Sequence, residues 1–270
     1  VPTRLRTNAA GDLVPVTTTY VYDALGRPVV ITDAEGGITL TVFPLDRNEM
    51  HVYDARAGGV EDERYLTVHE YDVMGRLVRR VSPAGPLDGT PERVTELFVY
   101  DAVGNLIAVV DGRAGGDYDP GSPGYYKTVY RYDERDRRVR TERSTATPAD
   151  PDGGELLIDI VEYDLQGNVI ATIDARAGGN AASVHYRTDY EYYLVGGRVR
   201  KVTRSVTTPE TADLAAADPV IEHYGYDAVG NLAWMTDGRA GDDPASPYFR
   251  TAYEYDAAVG HPGQVADGVV

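Results

Sequence analysis

Short segments rich in apolar residues, separated by tight-turn residues, dominate the chain. The run Leu106–Val110 is entirely apolar, and the run Val169–Ile173 contains one polar residue, Thr172. One face of such segments is consistently apolar and the other mixed, which is typical of an antiparallel sheet with one wetter side. The sequence therefore predicts many short strands, with one short helical turn within residues 209–217.

A single unit recurs along the chain. It reads aromatic-x-Tyr-Asp-x-x-Gly-Asn/Arg and is followed by five or six residues rich in Val, Ile, Leu and Thr. Clear copies have their key aromatic at Tyr22, Tyr71, Tyr100, Tyr163 and Tyr226, and degenerate copies have it at Phe43, Tyr132, Tyr192 and Tyr255. The mean spacing of about 29 residues lies in the range of repeat architectures.

The unit predicts a β-hairpin. Its Asp can accept a hydrogen bond from a backbone N–H two residues on, and Gly three positions later supplies the positive φ of a type I turn with a bulge. Asp136 replaces Gly in one copy, and Asp tolerates the left-handed region better than most residues. The predicted structural turn pairs are Asp23 with Gly26, Asp72 with Gly75, Asp101 with Gly104, Asp133 with Asp136, Asp164 with Gly167, and Asp227 with Gly230.

The tyrosines before the turns form a second pattern. In most copies an aromatic residue lies two positions before the key tyrosine, so both side chains share one face of a strand. We expect them to stack into tyrosine ladders between neighbouring hairpins. The predicted ladder residues are Tyr22, Tyr71, Tyr100, Tyr132, Tyr163, Tyr192, Tyr226 and Tyr255.

About nine hairpins imply about 18 strands, and twisted open sheets rarely exceed about 10 without curling, splitting or closing. The sequence therefore predicts an all-β fold in which tandem β-hairpin repeats wind as a continuous antiparallel ribbon into a curved or spiral shell segment. Residues 1–270 are expected to form a single repeat array. The cut strand edges and the start at Val1 suggest a fragment of a larger shell protein.

Alternate copies end in Asp-x-Arg-Ala-Gly. These loops carry Asp54 and Arg56, Asp111 and Arg113, Asp174 and Arg176, and Asp237 and Arg239. Four similar loops on one rim could present charged groups to a glycan or a protein partner. Repeated internal ion pairs that fix each loop are the favoured alternative.

Charge and composition remove several function classes. The formal net charge of -17 repels phosphate backbones and anionic lipid headgroups, which argues against nucleic-acid and membrane-surface binding. The chain has no cysteine and no run of about 18 apolar residues, so it offers no thiolate chemistry and no membrane span.

Catalytic and metal-binding patterns are weak. The Tyr-Asp pairs are distributed evenly instead of converging, and the five histidines lack ligand spacing. Acidic stretches at residues 116–119 and 150–152 could hold calcium but lack a regular calcium-loop spacing. We therefore expect no enzymatic activity, no cofactor and no resident metal.

The Tyr-Asp-x-x-Gly-Asn/Arg units resemble the Rhs/YD-repeat family, which includes bacterial Rhs effectors, wall-associated repeat proteins, shell subunits of Tc toxins and teneurin-like shells. The resemblance covers nearly the whole chain and implies a hollow β-shell that encloses a passenger such as a C-terminal toxin. It implies a secreted or cell-surface location, with the rest of the polypeptide and the passenger as partners. An extracellular adhesion or carbohydrate-binding module is the alternative, and a self-assembling filament or sheath is a third.

Overall fold

The computed structural model describes residues 5–7, 12–60, 62–83, 93–112, 126–147, 150, 154–205, 219–255 and 262–265. The helical turn predicted within residues 209–217 lies outside these ranges. Arg113 and most of the two acidic stretches lie outside them as well.

The described residues form strands joined by turns, with three short 3₁₀ turns at Glu63–Tyr65, Ala175–Ala177 and Gly238–Ala240. The first ten strands are β1 Leu5–Thr7, β2 Leu13–Pro15, β3 Thr19–Tyr22, β4 Pro28–Thr32, β5 Ile38–Val42, β6 Glu49–Tyr53, β7 Leu66–Tyr71, β8 Leu77–Pro83, β9 Arg93–Tyr100 and β10 Leu106–Val110. The others are β11 Lys127–Tyr132, β12 Arg138–Ser144, β13 Leu156–Tyr163, β14 Val169–Ile173, β15 Arg187–Tyr192, β16 Val199–Arg204, β17 Val220–Tyr226, β18 Leu232–Thr236, β19 Arg250–Tyr255 and β20 Pro262–Val265.

The chain divides into two compact units. The first comprises Val1–Thr128 with Ala146–Gly154, and the second comprises Val129–Thr145 with Glu155–Val270. Within the first unit, β3 to β10 pair antiparallel in chain order. Within the second unit, β12 to β20 do the same. The predicted all-β fold of tandem hairpins in an antiparallel ribbon is confirmed.

Each clear hairpin has a register shift beside its key tyrosine. The shift falls between Val21 and Tyr22 in the first copy and between Glu162 and Tyr163 in a later one. A β-bulge of this kind is what a type I turn followed by a left-handed residue produces.

The core of the second unit lies on one face of β13 and β14. Ile158, Ile160 and Ile173 form a buried cluster, and Ala177 from the following 3₁₀ turn packs against it. Ile173 is 1% exposed, whereas Ile170 on the opposite face of the same strand is 36% exposed. The loop after β14 therefore covers one face of the hairpin. Among the described residues, no helix is long and apolar enough to cross a bilayer.

Candidate functional site

The turn aspartates, which are Asp23, Asp72, Asp101, Asp133, Asp164 and Asp227, organise six nearly identical turns. In all six, the Asp Oδ1 atom accepts the backbone N–H of the residue four positions on, at 2.8–3.0 Å. In five, the same oxygen also accepts the N–H two positions on, at 2.9–3.0 Å. The backbone of the turn aspartate makes two further hydrogen bonds across the turn. Its N–H donates to the carbonyl four residues on, and its own carbonyl accepts the N–H three residues on.

The left-handed position of each turn is held by the residue that the sequence indicates. Gly26, Gly75, Gly104, Gly167 and Gly230 have φ between 77° and 105°. Asp136 occupies the same position with φ 58°, so a short polar side chain takes the glycine role there.

The Asn or Arg that closes the motif has a function that the sequence analysis missed. Its side chain holds the second oxygen of the turn aspartate, Oδ2. Arg27, Arg76 and Arg137 donate to it through Nε at 2.6–2.7 Å. Asn105, Asn168 and Asn231 donate through Nδ2 at 2.8–3.1 Å. Both oxygens of the turn carboxylate are therefore occupied inside the turn.

The two residue types alternate through the first eight copies, in the order Arg27, Asn48, Arg76, Asn105, Arg137, Asn168, Arg198 and Asn231, and the ninth copy has His261 after its glycine. We call the hairpins Arg-type and Asn-type accordingly. Every Asp-x-Arg-Ala-Gly loop follows an Asn-type hairpin. The repeating block is thus a pair of hairpins with different closing residues, and this alternation was available in the sequence.

The arginines of Arg-type hairpins reach the next hairpin along the chain. Arg76 lies 4.7 Å from the ring centre of Tyr100 and donates to the carbonyl of Asp101 at 3.3 Å. Arg137 repeats both contacts with Tyr163 and Asp164, at 4.6 and 2.8 Å. Arg27 over Phe43 and Arg198 over Tyr226 repeat the stacking. A charged group over an aromatic face stabilises the contact between neighbouring hairpins.

Several key tyrosines also bind the preceding hairpin through their hydroxyl groups. Tyr100, Tyr163, Tyr192 and Tyr255 donate their hydroxyls to a backbone carbonyl just after the preceding turn, at 2.7–3.2 Å. Ring-to-ring contacts join Tyr20 with Tyr22 within β3 and Tyr193 with Tyr226 of the next hairpin, and in each contact one partner lies outside the predicted ladder residues. Tyr71 donates its backbone N–H to Asn48, and Tyr132 ends β11. The key tyrosines thus meet arginine and backbone in addition to other tyrosines.

The Asp-x-Arg-Ala-Gly loops contain an ion pair stacked on an aromatic ring. In the loop at Asp174, the carboxylate accepts the backbone N–H of Arg176 at 2.9 Å and its Nε at 2.8 Å. The Arg176 guanidinium lies 4.6 Å from the ring centre of Tyr186. The same three-part arrangement joins Asp54, Arg56 and Tyr65 in one loop, and Asp237, Arg239 and Phe249 in another.

In each loop, the backbone carbonyl of the aromatic residue accepts a hydrogen bond from the backbone N–H of the loop aspartate. The N–H groups of Asp111 and Asp174 donate to Tyr126 and Tyr186 at 2.8 and 3.0 Å. Tyr126, Tyr186 and Phe249 all have φ near 55–59°, an unusual conformation for bulky residues. Tyr65, the equivalent residue in the loop at Asp54, accepts the same hydrogen bond and carries the same stacked arginine without a positive φ, so the conformation recurs in three of the four loops.

The loop arginines remain accessible. The side chains of Arg56, Arg176 and Arg239 are 72%, 68% and 73% exposed. A side-chain hydrogen bond from the arginine lowers the pKa of each paired carboxyl, Asp54, Asp174 and Asp237. The loops can therefore present a guanidinium on an aromatic ring, whereas their carboxylates are already engaged.

Several tyrosines of the second unit hold their protons more tightly than a free tyrosine does. Burial, together with a hydrogen bond to Glu222, raises the pKa of Tyr224 to about 12. Burial also raises the pKa of Tyr192 and of Tyr226. Among the side chains that the structure describes, no three His, Asp or Glu residues come together as a metal-binding group.

We expect acid to weaken the turns. The hydrogen bond from the Arg137 side chain lowers the pKa of Asp133 to about 2, from an ordinary value of 3.8. A depressed folded-state pKa gives stabilisation that is complete above about pH 4 and is lost as the pH falls towards 2. The melting temperature should fall over that window, and the fall should be smaller in Asp133→Asn. Titration of Asp133 near pH 3.8 by NMR would contradict this assignment.

Comparison with known proteins gives structural likeness only. No protein-family model and no curated protein matches the chain. The crystal structure of TcdB2-TccC3 is 17% identical, with a TM-score of 0.43, over 96% of this chain and 16% of that one. TcdB2-TccC3 without its hypervariable C-terminal region is 18% identical, with a TM-score of 0.43, over 91% and 14%. A Photorhabdus luminescens Tc holotoxin pore is 17% identical, with a TM-score of 0.42, over 91% and 14%. The chain spans 14–16% of the length of these solved structures.

Proposed function

We propose that this chain is a structural, non-enzymatic segment of an Rhs/YD-repeat shell that encloses a passenger such as a C-terminal toxin. The proposal rests on one observation, which is what the polar side chains of the repeat motif bind. The turn aspartates, their Asn or Arg partners and the key tyrosines bind their own turn or the neighbouring hairpin.

Motif side chains that are bound within the hairpins support a structural role in a wall better than a catalytic role. Catalysis needs groups that converge on one place and remain free to exchange protons. In the motif, the carboxylate oxygens accept bonds within the turn, and the same arrangement recurs at each clear copy. Repeated contacts between nearest neighbours are what a long, continuous wall requires.

The proposal assigns partners and location. The wall continues into the rest of the same polypeptide and faces the passenger, and the whole protein is secreted or displayed at the cell surface. The strongly acidic composition, with a net charge of -17, favours solubility and disfavours nucleic-acid partners.

The test is the mass of the full-length natural gene product under native and then denaturing conditions. A passenger that is cleaved but enclosed should remain with the wall in the native state and appear as a second polypeptide only after denaturation. A single polypeptide of unchanged mass in both conditions would exclude a cleaved passenger.

A second candidate is an extracellular adhesion or carbohydrate-binding module, and one observation favours it. The exposed arginines Arg56, Arg176 and Arg239 each lie over an aromatic ring, so several loops offer the same charged platform. Binding to a glycan array that is lost in Arg176→Ala and Arg239→Ala, with an unchanged melting temperature, would favour recognition by these loops. A self-assembling filament or sheath is a third candidate, and particle length that grows with protein concentration would identify it.

A further inference from the structure

One place in the second unit departs from the repeat on two adjoining strands. Gly225 and Trp234 are directly opposed residues of β17 and β18. The equivalent opposed pairs in the earlier Asn-type hairpins are Glu162 with Ala171, Val99 with Ala108 and Val42 with His51. Among these four hairpins, only this one has a glycine at the first position of the pair, and it faces the largest of the four opposed side chains.

The glycine makes room for the indole. A Cβ atom built on Gly225 would lie 2.1 Å from Nε1 of Trp234, so any side chain at residue 225 would displace the ring. On its other side Trp234 pairs with Ala252, also a small residue. The guanidinium of Arg250 lies 4.2 Å from the ring centre. The small residues Gly225 and Ala252 on the two neighbouring strands therefore leave the space that the Trp234 ring occupies.

Two further departures lie beside the tryptophan. His223 occupies the position that Ile160 holds in the preceding Asn-type hairpin, and Asp242 occupies the loop position of Gly179. His223 Nε2 is 3.1 Å from Asp242 Oδ1, and Lys201 Nζ is 2.8 Å from the same oxygen. The hydrogen bond from Lys201 lowers the pKa of Asp242, so the carboxylate stays charged.

These residues line one groove. Two adjoining cavities of about 790 and 460 Å³ share Tyr193, Arg200 and Trp234. The larger one extends to Tyr226 at the hairpin tip, and the smaller one extends to Lys201, His223 and Asp242. An aromatic end therefore passes directly into a polar end that carries both donors and acceptors.

The mixture of groups identifies the ligand chemistry. The lining is balanced in charge, because Arg198, Arg200 and Lys201 offset Glu191, Asp227 and Asp242, so the groove offers no excess positive charge to an anion. A purely apolar ligand would bury the polar end without hydrogen bonds. A sugar ring suits both ends, because its C–H face packs on aromatic rings and its hydroxyls donate to carboxylates and accept from Lys and Arg.

We propose that the groove formed by Tyr193, Trp234, Lys201, His223 and Asp242 is a binding site for a neutral saccharide. The site takes Asp242 from the loop that carries Arg239 but does not use the exposed arginine itself, and it goes beyond the shell role. It occupies only the β15–β18 part of the second unit, so it offers one specific subsite instead of a repeated surface.

The chain itself supplies the probe and the control variants. Trp234 is the single tryptophan, so its fluorescence reports directly on the groove. His223→Ile and Asp242→Gly restore the residues that the same chain carries at Ile160 and Gly179, and both are therefore compatible with the fold. Arg47→Ala, an exposed residue of the first unit, is the matched control.

The experiment is a glycan array on the 270-residue chain, followed by fluorescence titration with the neutral oligosaccharides that give the strongest signal. We expect a saturable change in Trp234 emission, an affinity about tenfold weaker in Asp242→Gly and His223→Ile, and no change in Arg47→Ala. Circular dichroism would verify that each variant is folded. Absence of any saturable sugar signal, or equal affinity in the two restored variants, would overturn the proposal. A saturable response to a tyrosine-containing peptide or to inorganic phosphate, without one to sugars, would also overturn it.

Discussion

Replacing Ile173 by alanine is expected to lower the free energy of unfolding by about 2–5 kcal/mol. Ile173 is 1% exposed and packs with Ile158 and Ile160 on the face that the loop residue Ala177 covers. Truncation there removes buried methyl groups and leaves a cavity, because strands on both sides and the loop above hold the surrounding atoms in place. Urea denaturation followed by circular dichroism measures the loss.

Ile170→Ala is the matched control for this prediction. It makes the same chemical change three residues away in β14, on the face where Ile170 is 36% exposed. The expected loss is about 1 kcal/mol or less, since less apolar surface leaves the solvent-excluded interior. Equal losses from the two substitutions would mean that the two faces of the hairpin are buried alike, against the structure.

Replacing Gly75 by valine has the second largest expected effect, a loss of about 1–3 kcal/mol. Gly75 has φ 78°, and no heavy atom lies within 4 Å of a Cβ built on it. A Cβ atom there meets no residue beyond its chain neighbours, so the loss should mainly report the cost of holding a β-branched residue in the left-handed region. Thermal unfolding of the two proteins at one pH measures it.

Gly75→Asp tests whether the loss in Gly75→Val comes from strain at positive φ or from the presence of any side chain at this position. The chain already places Asp136 at the equivalent turn position with φ 58°. Asp tolerates this region better than Val, so the aspartate variant should retain most of the wild-type melting temperature. If Gly75→Asp and Gly75→Val were equally destabilised, positive φ would not be the reason for glycine in this turn.

The hairpins could be predicted from the sequence because the turn chemistry is local. The Asp101 carboxylate accepts the backbone N–H groups of Gly104 and Asn105, which are only three and four residues away. The five apolar residues of β10 follow directly and point alternately to the two faces of the sheet. Such short-range signals survive in a single sequence. The positions of strands β3 to β19 follow from them, and so does the bulge beside the key tyrosine of each clear copy.

Contacts between hairpins could not be predicted in the same way. The stacking of Arg76 on Tyr100 and the bond from Tyr100 to Leu77 join residues 23 or 24 positions apart. Their geometry depends on how adjacent strands pair and twist, which no local pattern records. The alternation of Arg and Asn at the end of the motif was nevertheless readable and would have indicated two kinds of hairpin.

The groove at Trp234 shows a different limit. The sequence shows one tryptophan and a glycine before Tyr226, but only strand pairing places Gly225 opposite Trp234. Likewise, Asp242 meets His223 and Lys201 because its loop folds back over the preceding strands. Departures from a repeat become informative only once the register shows which of them lie together.

The most direct test of the wall account is electron cryomicroscopy of the purified full-length natural protein. The account predicts that residues 1–270 form part of a continuous hairpin wall around an internal space that holds additional protein density. A map in which these residues form a separate, solid module with no enclosed space would contradict it.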